Sequence, residues 1–355
     1  MKCLPTCKIP RSNGVGVHDW HAEILAVRAF NQFLLEECRL LARGHPSLYL
    51  RWRPDTERSI EEDGSWHGQP FGWKEEISLH MYCSEAPCGD ASMELIMAAQ
   101  DDASPWDVPS AADGAPDTTP AEQALPGRAY FSQLGVVRRK PARGDAPPTM
   151  SKSCSDKLAL RQCISLLSAV TALLVAPDNV YLRSVIVPES QYLPVSWRRC
   201  FGIQGRMHEL AGRVWLGGYR FSPFTVETTR REFRYSVREV KKETSSVAAS
   251  NLAAVWSLHG LQEGLIGGVL QGRKQFDRKG ASLVSRRRLW ECAREIATSL
   301  ESVFSGLRDQ LHARTYHDLK NGPFLKARRE VKQEVYTKSL RVWISNIRDD
   351  DFALE

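Results

Sequence analysis

The sequence predicts an α/β fold, and three features carry that prediction. An amphipathic helical pattern occupies residues 20–41, a period-two stretch follows at Ile77–Cys83, and a nearly continuous apolar run at Asn179–Glu189 reads as a buried strand. Two further helical patterns, about Arg286–Leu311 and Leu325–Trp343, close the chain. With 355 residues and 42% hydrophobic content, there is ample material for a large core.

In order along the chain, Ile24, Leu25, Phe30, Phe33, Leu34, Leu35, Cys38 and Leu41 form the broad apolar face of the first helix, and Gly44, His45 and Pro46 end it. Residues 51–75 are charged and rich in Gly and Trp without a period, which predicts a loop. After the strand at Ile77–Cys83, Pro87 and short polar residues make a tight corner, and a helix runs to about Gln100. Residues 101–126 are Asp, Ala and Pro with almost no branched apolar side chain. Such a segment cannot repay its ordering entropy and is expected to be a disordered insertion.

A basic, Pro-punctuated loop at Arg138–Thr149 precedes a helix over roughly Asp156–Val175, capped by Ser155 or Asp156. Short strands are expected at Val214–Phe221 and Phe224–Thr229, and residues 241–250 are small and polar. The stretch Gly260–Lys274 is Gly-rich but has neither the phosphate-loop nor the dinucleotide spacing.

Composition narrows the compartment and the partners. Lys and Arg number 48 against 42 Asp and Glu, a mild +6 that suits an anionic partner without requiring one. Nine cysteines at irregular spacing, no secretory h-region in "MKCLPTCKIPRSNG" and no apolar run of membrane length point to a reducing intracellular setting, nucleus or cytoplasm, with no membrane association. No protein partner can be read.

The chemistry concentrates in "HDWHAE". A histidine and a cysteine thiolate are good zinc ligands, and a zinc-activated water needs a carboxylate that is not itself a ligand. His21 offers the imidazole and Glu23 the proton shuttle, provided the site lies against the first helical turn. Cys88 follows Pro87, and Cys154 stands in "SKSCSDKLAL"; both precede helices, whose N-termini favour a thiolate. His-x-Glu followed by Pro-Cys matches part of the zinc deaminase signature; position 91 is alanine, so the third ligand comes from elsewhere. Cys163, Cys200 and Cys292 lie inside apolar patterns and read as buried hydrophobes. No His or Cys pair matches Cys3 and Cys7, so they are set aside as ligands.

Together, "HAE" at His21–Glu23, "PCGDAS" at Pro87–Ser92 and "SCSDKLA" at Ser153–Ala159 resemble the RNA-specific adenosine deaminases, and "KPARGDAPPT" resembles the fungal-type tRNA members more narrowly. The likeness runs the length of the chain and implies one deaminase domain over residues 1–355. It also implies a cytidine-deaminase-like mixed sheet flanked by helices. Zinc would be held by His21, Cys88 and Cys154, with Glu23 moving protons as adenine C6 is attacked. The product would be inosine, formed in tRNA just 3′ of the alanine anticodon. The resemblance further implies a buried inositol hexakisphosphate, with Arg28, Lys157, Tyr316, Lys320, Lys332 and Trp343 at the matching positions. Lys2 matches a substrate-contacting lysine.

From composition alone, the cations of Lys326–Trp343 would equally suit a solvated helix face. Arg138, Arg139, Lys140 and Arg143 are the remaining RNA candidates, as a mobile basic loop able to track phosphates. "SRRRLWE" (Ser285–Glu291) suits RNA backbone or a solvated helix start equally.

This chain departs from the family at Val27, where a second arginine is usual, at Leu160 and Arg161 after the Ser-Asp-Lys motif, and at Ser92, an arginine in the double-stranded-RNA editors. Its opening resembles an internal family segment, so the sheet is expected to lack N-terminal strands. Two alternatives accompany the tRNA reading: a shortened, inactive protein that binds RNA or zinc, and an editor of structured mRNA.

Overall fold

The computed structural model describes residues 2–60, 66–107, 125–127, 130–140, 147, 149–244, 246–247, 250–300, 305–346 and 348–355. It is a mixed α/β structure. Three parallel strands lie in the spatial order Leu79–Tyr82, Leu182–Pro188, Thr225–Thr229. The register pairs Met81 with Val185 and Val185 with Val226. The middle strand carries Val185 and Val187, both fully buried, as its apolar run predicts.

The opening helix spans Ala22–Ala42 and buries Leu25, Phe33, Leu34, Leu35, Cys38 and Leu41. Its Leu34 and Cys38 join one large core with Leu158, Cys163, Val185, Trp197, Trp290, Leu319 and Val331, which knits the sheet to the helices Cys154–Ile164, Arg286–Ser299, Tyr316–Asn321 and Lys326–Lys338. A second cluster joins Leu4, Ile9, Val17, Trp20 and Leu25 to Ala253, Val255 and Leu265 of an antiparallel sheet and to Leu261 in the turn between its strands. No helix is long and apolar enough to cross a membrane among the described residues.

Several elements differ from the sequence reading. The expected loop at 51–75 contains short antiparallel pairs, Leu50–Trp52 with Phe71–Trp73 and Ser59–Ile60 with Trp66–His67, too short for a period to register. Cys88 does not open a helix, because a 3-10 turn (Asp90–Ser92) intervenes before Met93–Ala98. The helix expected to reach Val175 stops at Ile164. Ser165 adopts φ 60°, and the carbonyl of Leu166 instead accepts from the buried amide of Asn31, while Leu166 N donates to Val180 O. Val214–Phe221 forms an isolated bridge, Val214 to Arg220, rather than a strand. The predicted helix Arg286–Leu311 is described as Arg286–Ser299 and Ser305–Leu311. The final helical pattern ends at Lys338.

The Gly-rich stretch is a hairpin, Gln262–Ile266 paired with Val269–Leu270 across Gly267–Gly268, both at positive φ. Gly268 is also held for space: an added Cβ would fall 2.5 Å from the carbonyl oxygen of Val17. Most of the expected insertion at 101–126 lies outside the described residues; 101–107 is irregular, and Leu125–Pro126 pairs in parallel with Arg138–Arg139.

Candidate active site

The site forms beyond the carboxyl end of the parallel strand Leu79–Tyr82, where the chain turns through Cys83 to Pro87 and Cys88, the place where open α/β sheets characteristically receive ligands. Cys83 N still donates to Ile186 O at 2.9 Å, so the turn is fixed to the sheet. It is then tied to the helix Cys154–Ile164. Ser155 N donates to Cys88 O at 3.0 Å, Ser155 Oγ to Pro87 O at 3.0 Å, and Cys154 N to Cys88 Sγ at 3.4 Å.

Ser153 caps that helix by accepting from Asp156 N at 3.1 Å, and Asp156 is in turn held by Arg206 at 2.6 Å. Gly89 allows the two segments to touch. It adopts φ 109°, and a Cβ there would lie 2.3 Å from Ser153 Oγ and 2.5 Å from Ser153 Cβ. Gly89→Ala is therefore expected to cost about 2–3 kcal/mol of stability in urea unfolding and to separate the two cysteines, lowering metal content.

His21 is the N-cap residue of the opening helix, with extended backbone, and Glu23 lies in its first turn. Asp19 fixes the imidazole: its Oδ1 is 2.6 Å from His21 Nδ1 and accepts from His21 N at 3.1 Å. With Nδ1 committed to a carboxylate, Nε2 is left as the ligand atom, the usual carboxylate–histidine–metal arrangement. The other oxygen of Asp19, Oδ2, accepts from Lys140 at 2.8 Å, from Ser151 Oγ at 3.1 Å and from Lys157. Lys140 also reaches Cys154 Sγ at 3.2 Å. A continuous charged chain thus runs from Cys154 through Lys140 and Asp19 to Lys157.

The electrostatics follow from these contacts. The hydrogen bond between the two thiols, with Lys140 beside them, pulls Cys88 down to about 6; the same hydrogen bond and burial push Cys154 up against the pull of Lys140. Burial presses against the imidazolium of His21, but the Asp19 hydrogen bond outweighs it and raises the group to about 9. Burial opposes the charge on Asp19, and Lys140 and Lys157 overcome it, holding the carboxyl well below its ordinary range. The charge on Glu23 raises the thiols of Cys83, Cys88 and Cys154 alike, so the carboxylate lies within electrostatic reach of all three. By contrast, burial alone dominates at Cys38 and Cys163 and pushes both thiols up.

Two soft thiol donors in mutual contact, beside an imidazole oriented by a carboxylate, are a donor set that suits zinc. The three donors are not yet closed on one point. Among the described residues, the donor groups whose ligating atoms all lie within 4.8 Å of one another are Cys3–Asp19–His21 and His317–Asp350–Asp351. Cys3, set aside from the sequence, stands 3.8 Å from His21 Nδ1.

The expected RNA loop is corrected. Arg138 is 1% exposed, and its guanidinium donates to the carbonyls of Tyr130 and Gln133. Lys140 is 6% exposed and serves Asp19 and Cys154. The buried Asp19 carboxylate draws Lys140 inward as its counter-cation, and the carbonyls of Tyr130 and Gln133 hold Arg138 inside, so neither side chain is placed to track phosphates. Arg139 is half-buried in the short strand, and Arg143 lies outside the described residues. Lys2 is half-buried beside the site, its carbonyl accepting from Trp20 N at 2.9 Å.

Arg28, Lys157, Tyr316, Lys320, Lys332 and Trp343 all line one cavity of about 680 Å³. Nine Lys or Arg line it against four Asp. The cations crowd one another: burial first, then Arg328 and Lys320, press Lys332 down to about 7, and burial with Arg328 presses Arg161 to about 9. Arg161, Arg286 and Arg328 were not expected in this cavity. Arg328 is fixed by the carbonyls of Ile164 and Leu167, both at 2.7 Å.

A sequence profile described as the adenosine-deaminase (editase) domain matches residues 1–347. The tRNA-specific adenosine deaminase 1 of Schizosaccharomyces pombe is 31% identical over 351 residues, covering 98% of this chain and 81% of that protein. The tRNA-specific adenosine deaminase 1 of Saccharomyces cerevisiae is 33% identical over 192 residues, 53% of this chain and 44% of the other. The mouse double-stranded RNA-specific editase B2 is 29% identical over 189 residues, 49% of this chain and 22% of the other.

Proposed function

The chain belongs to the adenosine-deaminase (editase) domain family, and on that premise we propose that it hydrolyses adenosine to inosine in tRNA, at the adenosine just 3′ of the alanine anticodon. The observation that carries the reading is the meeting of Cys88 and Cys154 beneath Lys140 and Asp19, with Glu23 acting on both sulfurs. Likeness to a tRNA-specific relative along 98% of the chain favours tRNA over structured mRNA.

A zinc ion held by His21, Cys88 and Cys154 would supply a water activated near neutral pH for attack at adenine C6. The residues of the chain do the rest. Asp19 keeps the imidazole of His21 in one orientation, and Lys140 balances the sulfur of Cys154. Glu23 takes one proton from the attacking water and passes it to N1 of the purine, where it remains in inosine, and then moves the second proton from the new C6 hydroxyl to the departing amine, which leaves as ammonia. The target base must leave its stack to arrive, which an anticodon loop permits at low cost. Incubating the purified chain with an alanine tRNA transcript and sequencing the cDNA tests this: inosine at the predicted adenosine reads as guanosine. An unchanged adenosine with folded, zinc-loaded protein would refute the reading.

The cavity behind Lys157 would hold inositol hexakisphosphate. Its crowded, partly desolvated cations gain more from a compact polyanion than from water, and its size suits an inositol ring with its phosphates. Lys157 touches both the cavity and Asp19, so the ligand would support the charged chain to Cys154. Protein purified from cells and denatured in acid is expected to release one inositol hexakisphosphate per chain, measured by anion-exchange chromatography. Folded protein that releases none, and whose melting temperature is unmoved by added ligand, would contradict this assignment.

A further inference from the structure

Beside the Pro87–Cys88 turn lies a segment that neither the metal site nor the cavity uses. The chain leaves the outer parallel strand at Thr229 and continues as Arg230-Arg231-Glu232-Phe233-Arg234-Tyr235 before the helix Val237–Glu243. Its base is rigid. Arg238 donates to Glu85 at 2.6 Å, to Ser84 O at 2.9 Å and to Glu232 at 2.7 Å, and Ser190 Oγ holds the other oxygen of Glu232 at 2.5 Å. Ser84 and Glu85 lie between Cys83 and Pro87, so the clamp fixes this segment to the rim of the site.

Its outer surface is aromatic and basic. Tyr235 is 69% exposed and Phe233 46%, with ring centroids 5.7 Å apart at 70°. Tyr82, also 46% exposed, ends the strand at the opposite edge of the three and lies within electrostatic reach of Glu232 and Arg238. The Arg234 guanidinium lies 5.7 Å from the Tyr235 ring centroid. Arg231 and Arg234 form no ion pair among the described residues, whereas the nearby acids Glu232 and Glu239 are taken up by Arg238 and Lys242. The unbalanced charge on this surface is therefore positive.

Exposed rings cost free energy in water, so this surface is built to be covered; arginine beside aromatic rings suits protein and nucleic-acid partners alike, and the surplus positive charge on the rim of a deaminase site favours the nucleic acid. Single-stranded RNA calls for both: bases stack on aromatic faces without regard to sequence, and guanidiniums meet the phosphates between. Extruding the target adenosine also leaves its neighbours without a stacking partner, close to the rim. We propose that Arg230–Tyr235 is the platform on which the unpaired nucleotides flanking the target adenosine stack. This rests on the reading of the chain as an RNA deaminase.

The test uses the full chain and an alanine tRNA transcript, with affinity measured across a salt series and inosine formation at low RNA. Replacing the rings (Phe233→Ala with Tyr235→Ala) is expected to weaken binding about tenfold or more at every salt concentration and leave the salt slope unchanged. Replacing the cations (Arg231→Ala with Arg234→Ala) is expected to lower the salt slope by about 1–2. Both losses are expected without a change in melting temperature, because these side chains are exposed. If both variants bind and edit within twofold of a parent that edits the transcript, the platform is wrong, the deaminase reading stands, and the surface belongs to another class of partner such as a protein. If the parent itself neither binds nor edits tRNA, both ideas fall.

Discussion

Glu23→Ala is expected to abolish inosine formation, by about 10³-fold or more, while leaving fold, zinc content and tRNA affinity near those of the parent. Glu23 stands in the first turn of Ala22–Ala42, where the helix dipole favours its anion, and it is only partly buried. Its carboxylate makes no hydrogen bond or ion pair among the described residues, so removing it takes nothing from the packing. Its charge nevertheless acts on Cys83, Cys88 and Cys154. A group so placed is free to carry a proton. Retained inosine formation in this variant would dismiss Glu23 as the shuttle, and loss of folding would mean it has a structural role.

Cys154→Ala is expected to remove zinc and activity together. Its sulfur meets Cys88 and accepts from Lys140, so its loss also removes one of the groups that balance that buried ammonium, leaving Asp19 and the Cys88 sulfur. Leaving that charge half-compensated in the interior adds a stability cost of about 1–3 kcal/mol. The control is Cys163→Ala in the same helix. Cys163 is equally buried, but burial pushes its thiol up and no cation reaches it, so zinc and activity are expected to survive. Zinc measured by plasma emission on both variants separates ligand loss from a generic core cavity.

Loading is also expected to strengthen as pH rises from 6 toward 9, because His21, raised to about 9, and Cys154, pushed up, must both surrender protons to become ligands.

Much of this site could be read along the chain because its residues advertise themselves locally. His21 and Glu23 stand at a helix start, Cys88 follows a proline, and Cys154 lies close to the predicted start of its helix, although the cap is Ser153 and not Ser155 or Asp156, so the helix begins at Cys154 itself. The six cavity residues inferred from resemblance do line one cavity. What escaped was set by partners remote in sequence. Nothing near Lys140 signals that its ammonium will meet Asp19, 121 residues away, so a basic loop looked solvent-facing. Arg161 stood out only as a departure after the Ser-Asp-Lys motif and Arg328 as one cation among many in a basic helix, and the packing of Lys326–Lys338 against Cys154–Ile164 brings both into the cavity. Asp19 left one signal that could have been used: a carboxylate two residues before a candidate ligand histidine is well placed to orient the ring. The short pairs between Leu50 and Trp73 escaped because two or three residues cannot display a period.

X-ray absorption at the zinc edge of the purified chain tests the central claim most directly, because it counts sulfur ligands. The account predicts one zinc per chain with two sulfurs at about 2.3 Å and the remaining ligands nitrogen or oxygen, as His21, Cys88 and Cys154 would give. A single sulfur would place the ion instead on Cys3, Asp19 and His21, the cluster already drawn within 4.8 Å, and would contradict the account; so would folded protein that holds no zinc.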